Sequence, residues 1–305
     1  MRILVTGADG FLGRGLAAAF PEVYPDAQRI VLTDRAFSGP APSGSEAIAG
    51  DLGDQDFLTD LLEPGFDLVF HLASVPGGLA EREQDRGHHV NLLAPLALAR
   101  AVAANHPGAR FVFASSIAVY GDLDEYPVTA ETRPAPLITY GAHKLMMEIL
   151  LTDMTRRGAL SAISLRFPGI IARPVGESGH GSVFMSQIFH SIAAGETYDC
   201  PIPAASTCWW MSRKAAVSTL LHAARLADSV QTVVQPPVLH ADLNEVCDAV
   251  CRVTGKQAHI RWGDDDNLRR IFGAMPPLDA TPALALGFRA DANLDTLAKA
   301  ALSGD

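Results

Sequence analysis

Short apolar runs alternate with stretches of helical spacing through the first half of the chain. Ile3–Thr6, Arg29–Asp34, Asp67–Leu72, Arg110–Ser115 and Ala162–Arg166 read as strands, several of them of the type buried on both faces. Phe11–Phe20, Asp54–Leu62, Arg86–His106 and Thr139–Arg157 read as helices, with Pro95 kinking or interrupting the third. Phe37–Gly50, rich in Gly, Pro, Ser and Ala, reads as a loop. Strands alternating with helices predict a parallel, doubly wound sheet with right-handed crossovers.

Past Phe167-Pro168-Gly169 the rhythm changes. Ser182–Gly195, Arg213–Ala227 and Ala241–Thr254 have helical spacing, and Ile260–Trp262 reads as a short strand. Interruptions by glycine and proline there predict a smaller cap. The expected division is a sheet domain over 1–169, rejoined by 211–235, and a cap built from 170–210 and 236–305. The predicted fold class is therefore α/β, a Rossmann-type doubly wound parallel sheet with a smaller substrate-binding cap.

Composition supports a packed protein: 305 residues with 48% hydrophobic and 19% charged side chains leave ample material for a core. A net charge of −10 argues against nucleic acid, which needs a basic face. Cys200, Cys208, Cys247 and Cys251 show neither metal-ligand nor disulfide spacing, so free or structural thiols are expected and no metal is. No apolar run is long enough to span a bilayer, and the start of the chain lacks a leader-type apolar region. The expectation is a cytoplasmic protein with no membrane or nucleic-acid partner.

The chemistry begins at the first turn. Gly7, Gly10 and Gly13 form a G-x-x-G-x-x-G pattern between a predicted strand and helix. With Phe11 and Leu12 they form a socket for a dinucleotide pyrophosphate, because glycines admit close backbone approach and the helix start supplies unpaired N–H groups. Asp34 closes the second strand, where a carboxylate accepts hydrogen bonds from adenosine ribose hydroxyls and repels a 2′-phosphate; this favours NAD over NADP. Arg35 beside it works in the opposite sense. Asp51-Leu52 can reach the adenine edge, and Leu72-Ala73-Ser74 should pass beside the cofactor. His71 reads as a core histidine.

Tyr140 and Lys144 stand four apart on a predicted helix and share a face. An ammonium near a phenol favours phenolate and lowers the tyrosine pKa, allowing proton exchange near neutral pH. Lys144 can also hold the nicotinamide ribose. Ser116, at the carboxyl end of its strand, can hydrogen-bond a reacting oxygen. With the glycine socket, these groups point to proton and hydride transfer at a carbon bearing a hydroxyl.

These motifs, together with Asn91, Ser115–Gly121 and Tyr140–Lys144, resemble the extended short-chain dehydrogenases/reductases of the NAD-dependent epimerase/dehydratase group, over nearly the whole length. The resemblance implies that Ser116 rather than Ser115 is catalytic, that Tyr140 is the acid/base, and that Asn91 lies near the cofactor. Ile117 and Ala118 stand where dehydratases of the group carry an acidic pair, so elimination of water is disfavoured. Pro168 stands where nucleotide-sugar enzymes commonly carry an asparagine, and is placed among the cofactor-side residues.

A finer similarity, to dehydrogenases of four-carbon acid sugars, runs through Phe70–Ala73, Phe113–Gly121, Thr139–Gly141, Leu165–Pro168, Arg173-Pro174, Trp210–Val217 and Ala285–Asp291. It implies NAD-dependent oxidation of a secondary hydroxyl of a small sugar acid, with a nucleotide-sugar 4-epimerase as the alternative. The substrate carboxylate requires a cation or convergent donors. Arg173 is the first candidate and Arg213 and His143 the next, beside Ser74, Ser116 and Tyr140. Pairing of the helices after Asn91 and around Tyr140–Arg157, through Ala97, Ala101, Leu145, Met146 and Ile149, predicts a homodimer.

Overall fold

The structure is a computed structural model and describes residues 1–123, 126–174, 181–226 and 231–303. The first elements, in chain order, are β1 (Arg2–Thr6), α1 (Phe11–Val23), β2 (Arg29–Asp34), β3 (Glu46–Ala49), α2 (Gln55–Leu62) and β4 (Leu68–His71). Then come α3 (Gly77–Arg82), α4 (Gln84–His88), α5 (Ala94–Asn105), β5 (Arg110–Ser116), α6 (Thr139–Arg156) and β6 (Ser161–Phe167). The second half contributes β7 (Gly169–Ile171), α7 (Val183–Ala194), β8 (Thr197–Cys200), β9 (Thr207–Ser212), α8 (Arg213–Arg225), β10 (Val233–Val234) and β11 (Leu239–Asp242). The last elements are α9 (Leu243–Thr254), β12 (His259–Trp262), α10 (Asp266–Phe272), α11 (Thr281–Ala285) and α12 (Leu294–Ser303).

The central sheet has seven strands in the order β10-β6-β5-β4-β1-β2-β3. β1 runs parallel to β2 and β4, β2 to β3, β4 to β5, and β6 to β10. The reversal of strand order beside β1 makes this a Rossmann-type doubly wound sheet, whose ligand crevice lies at the carboxyl ends of its strands. β3 forms inside the segment expected to be a loop. Its four residues, Glu46-Ala47-Ile48-Ala49, are mostly exposed and too few to register as a strand, and its order comes from backbone pairing to β2 at the sheet edge. The predicted helix over Arg86–His106 is interrupted: α4 passes through a π-helical turn, His89–Leu93, into α5, which has Pro95 in its first turn. Proline has no N–H to complete the ladder, and it stands where the backbone already departs from α-helical bonding, Ala94 N–H donating to His89 O across the π-helical turn.

The chain divides into two compact units, one of Met1–Val119, Ile138–Arg166 and Leu220–Val234 and one of Tyr120–Leu137, Phe167–Thr219 and Gln235–Asp305. Besides shifts of one to three residues at the ends of segments, this differs from the expected boundaries in two places. The return to the sheet unit begins at Leu220, inside α8, rather than at 211. Tyr120–Leu137 belongs to the second unit because Val128 exchanges backbone hydrogen bonds of 2.8 Å with Pro277 and Asp279, while Asp122 pairs with Arg270 at 3.1 Å.

In the first unit, Leu4, Val69, Leu98, Phe111, Phe113 and Met147 belong to one apolar cluster. In the second, β7, β9 and β11 form one small sheet and β8 and β12 another. β9, β11 and β7 were invisible as strands in sequence. They hold Trp209 and Trp210 fully buried, each indole N–H donating to a carbonyl, of Pro276 at 2.7 Å and Ala241 at 3.0 Å. The four cysteines are free thiols, and burial raises those of Cys200, Cys208 and Cys247. Among the described residues, no helix is long and apolar enough to cross a membrane.

Candidate active site

The first unit brings the expected cofactor residues to the carboxyl end of β1. Gly7 has φ +69, and a Cβ on it would lie 2.5 Å from the Ala73 nitrogen; a Cβ on Gly13 would lie 2.2 Å from the Gly7 carbonyl oxygen. The loop and α1 therefore close on each other to a degree that only hydrogen side chains allow. Gly10 is the N-cap of α1 and offers no side-chain hydrogen bond, so the helix start is open to the backbone approach of an anion. Phe11 and Leu12 begin the helix, half-buried.

Asp34 ends β2 beside this loop. Its carboxylate accepts from the Asp9 N–H at 3.0 Å and the Arg35 N–H at 2.8 Å, which orients it before any ribose arrives. Arg35 turns toward Asp51, its guanidinium 3.9 Å from that carboxylate. The arginine thus points toward an acid on the neighbouring loop, beside the carboxylate of Asp34. Leu52 packs against the core cluster of the unit. Sequence reading missed Asp9, whose carboxylate takes Ser38 N–H at 3.1 Å and Arg14 at 3.0 Å and so ties the glycine loop to the segment after β2.

Across β1, the segment after β4 is pinned from two sides. Leu72 N–H donates to Thr6 O at 3.1 Å. Buried Asn91, in the π-helical turn, accepts from Ser74 Oγ at 3.0 Å and Val75 N–H at 2.9 Å and donates to Val75 O at 3.0 Å. Asn91 is therefore the clamp that sets the path of Leu72-Ala73-Ser74. His71 is 1% exposed, hydrogen-bonded to Thr6 Oγ1 at 2.7 Å through Nδ1, and stacked on Phe113. Burial, with the Lys144 charge nearby, pushes it down to about 3, so it is neutral at physiological pH.

α6 carries Tyr140 and Lys144, the candidate reacting groups. Its first turn has no cap of its own, and Thr139 N–H donates instead to the Glu81 carboxylate of α3. Gly77, the first residue of α3, lies against the start of α6: a Cβ there would crowd Ile138 Cδ1 at 3.2 Å and stand in ordinary contact with Tyr140 Cβ at 3.6 Å. Lys144 is buried below Tyr140. Its Nζ donates to Ala114 O at 2.7 Å and lies 5.4 Å from the Tyr140 ring centre and 4.7 Å from that of Phe113. Loss of water lowers Lys144 to about 7, against an upward pull from Glu148.

The two serines part company. Ser115 is buried and its Oγ donates to Glu148 Oε1 at 2.5 Å. Ser116, half-buried at the end of β5, has its Oγ accepting only a long bond from Ala118 N–H at 3.2 Å among its described partners. The hydroxyl available at the strand end is Ser116's. His143 is buried and meets His88 edge-on, with ring centres 5.4 Å apart, and burial lowers it.

Pro168, Arg173 and Arg213 lie in the second unit. Pro168 joins β6 to β7. Arg173 lines a depression with Gly169, Ile170, Ser186 and Gln187; its N–H donates to Ser186 Oγ at 3.0 Å and its carbonyl meets His190 Nε2 at 2.6 Å. Arg213 opens α8 directly after Ser212, whose N–H and hydroxyl both donate to Asp291, at 2.9 and 2.6 Å.

The model of the family described as NAD dependent epimerase/dehydratase matches residues 3–233. The chain belongs to this family. It is 33% identical to D-erythronate dehydrogenase of Cupriavidus necator, over 98% of this chain and 97% of that one. It is 30% identical to the enzyme of the same name from Haemophilus influenzae, over 97% of each chain. The fold is similar to a nucleoside-diphosphate-sugar epimerase of known structure from Agrobacterium tumefaciens, with a TM-score of 0.89, 30% identity, and coverage of 100% of this chain and 95% of that one. The protein is an NAD-dependent dehydrogenase, an oxidoreductase acting on CH–OH groups. The tight glycine cradle and the Asp34 carboxylate fit NAD as its cofactor.

Proposed function

We propose that the protein oxidises a secondary hydroxyl of a small sugar acid, D-erythronate or a near analogue, to the corresponding oxo acid. The near end-to-end similarity to D-erythronate dehydrogenases carries this reading. NAD, when bound, supplies the acceptor for the hydride that leaves the carbinol carbon.

The chain's own residues handle the rest. Tyr140, as phenolate, takes the proton of the substrate hydroxyl, and Ser116 donates a hydrogen bond to the same oxygen as it becomes a carbonyl. The Lys144 ammonium beneath the ring favours the phenolate and holds the nicotinamide ribose. Gly7, Gly10, Phe11, Leu12 and Gly13 receive the pyrophosphate. Asp34 receives the adenosine ribose, Asp51 and Leu52 border the adenine, and Leu72, Ala73, Ser74, Asn91 and Pro168 border the nicotinamide half. Arg173 binds the substrate carboxylate, with Ser74, His143 and Arg213 as further substrate contacts.

The enzyme acts as a cytoplasmic homodimer in this reading. Exposed Leu93, Met146 and Ile149 offer an apolar face on the helices concerned, and the free thiols fit a reducing compartment. Ala97 and Ala101, by contrast, pack against the core of their own unit.

A nucleotide-sugar 4-epimerase is the second reading, favoured by the similarity to the Agrobacterium structure. A spectrophotometric screen of four- and five-carbon aldonates with NAD separates the two. A dehydrogenase accumulates NADH with substrate, whereas an epimerase interconverts a nucleotide sugar with no net NADH. Arg173→Met should then raise KM for the acid about ten- to a hundredfold while leaving NAD affinity unchanged. Unchanged kinetics would clear Arg173 of carboxylate binding.

A further inference from the structure

Below Tyr140 and Lys144, on the same face of α6 and four residues further on, lies Glu148. This carboxylate is 2% exposed, an unusual place for an acid in the middle of a helix. It is held on two sides. Arg166 of β6 donates to it from Nε at 3.0 Å and Nη2 at 2.8 Å, and Ser115 of β5 donates its hydroxyl at 2.5 Å. Tyr140, Lys144 and Glu148 thus form a column of phenol, ammonium and carboxylate with a spacing of four, and the base of the column is clamped to two strands.

The clamp does more than brace helix to sheet. Lys144 is buried and has one described hydrogen-bond partner, the neutral carbonyl of Ala114. The groups around it are mostly neutral or cationic. From β5 it meets the Phe113 ring, and from β4 His71, which is neutral. On α6 itself stand Tyr140 and His143, and His143 in turn is faced by His88 of α4 and Glu81 of α3. Glu148 is the anion that acts on Lys144. A buried ammonium without such an anion tends to release its proton. An uncharged Lys144 would no longer favour the Tyr140 phenolate.

We infer that Glu148, clamped by Arg166 and Ser115, is a positioning residue that keeps Lys144 protonated beneath Tyr140. Ser115 then serves the carboxylate and not the substrate, which accounts for two adjacent serines of unequal burial at the end of β5. The inference rests on the proposed roles of Tyr140 and Lys144, but its central claim concerns the charge of Lys144 alone.

That separation makes the test clean. The chain has four lysines, Lys144, Lys214, Lys256 and Lys299, so lysine labelled with 13C at Cε gives a short spectrum in which Lys144→Arg identifies the relevant signal. In cofactor-free protein, Glu148→Gln should lower the Lys144 titration midpoint by about one unit or more, the usual effect of losing a neighbouring opposite charge. The other three lysines should not move. Glu148→Asp should restore much of the midpoint. If Glu148→Gln does not fold, Arg166→Gln supplies the readout instead: with one cation fewer beside the carboxylate, the Lys144 midpoint should rise. An unmoved Lys144 midpoint in a folded variant overturns the inference.

Turnover supplies the second readout. In Glu148→Gln the acid limb of kcat/KM should move to higher pH, whereas a purely structural loss would lower the rate at all pH values without moving the limb. The two failures are distinguishable. If Tyr140→Phe keeps near-normal turnover, the catalytic reading fails whatever the lysine spectrum shows. If Tyr140→Phe is inactive and the Lys144 midpoint ignores Glu148, only the inference drawn here fails.

Discussion

Adding one methyl group at each motif glycine separates the glycines that shape the socket from the one that faces its contents. In Gly13→Ala the new Cβ would meet the Gly7 carbonyl oxygen at 2.2 Å and the Ala8 Cα at 2.7 Å. Both are backbone atoms of a loop that Ala73 closes from the far side, so no flexible side chain can yield. Relief must come from opening the loop away from α1. Overpacking of this kind costs about 1–3 kcal/mol. If that distortion falls on the anion-binding N–H groups, NAD affinity drops about five- to hundredfold. Thermal stability should fall with it, at about 2–4 °C per kcal/mol for a larger domain.

Gly10→Ala provides the contrast, because its Cβ would meet only the Gly7 oxygen, at 3.2 Å. It should leave the melting temperature nearly unchanged and weaken NAD through direct contact with the pyrophosphate. Gly39→Ala, where a Cβ meets nothing within 4 Å, should change neither. Calorimetric titration with NAD and a melting curve for each variant decide the matter. The reasoning is refuted if Gly13→Ala binds NAD like the parent, or if Gly10→Ala is the variant that melts earlier.

Ser116→Ala should lower kcat at least tenfold with little change in melting temperature, while Ser115→Ala should lose about 1.5–3 kcal/mol of stability, typical of a hydrogen bond to a charged group, with a smaller effect on rate. The opposite ranking would exchange the roles of the two serines. The enzyme should turn over faster with NAD than with NADP, and Asp34→Ala should narrow that gap; a parent enzyme preferring NADP would hand control of the site to Arg35. Lys144 is depressed to about 7 in the fold against about 10.4 in an unfolded chain. Between those values the unfolded state binds the extra proton, so stability contributed at this site increases as pH rises from 7 toward 10. Lys144→Met should flatten the pH dependence of melting over that range, and a variant with the parent's slope would contradict the burial argument. Light scattering at micromolar concentration should give twice the monomer mass, and a mass of 32.4 kDa would remove the dimer.

Much of this molecule was written in its local patterns. The alternation of apolar runs and helical stretches predicted the strand order's parallel, doubly wound character, because a strand buried on both faces needs helices above and below it. Gly7, Gly10 and Gly13 announced the phosphate turn, since few other uses demand three bare residues at a strand-to-helix junction. Tyr140 and Lys144 declared a shared face through helical spacing alone. Glu148 stood one turn further along the same face, and that spacing was the signal that could have found it. Tertiary structure decided what spacing could not. β3, β7 and β11 are too short to register as strands, and β9, six residues with Cys208-Trp209-Trp210-Met211 at its centre, lacks an alternating pattern; all four are ordered by the neighbouring backbones that pair with them. Which of two adjacent serines is tied up inside the fold depended on the pleat of β5 and on Glu148 reaching Ser115 from α6. Asn91 became a clamp, Arg35 a partner of Asp51, and Arg166 the anchor of a buried carboxylate only when strands distant in the chain were laid side by side. Sequence periodicity specifies which face of an element a residue occupies; which groups meet there is set by packing between elements, and the charge of a buried lysine depends on that meeting.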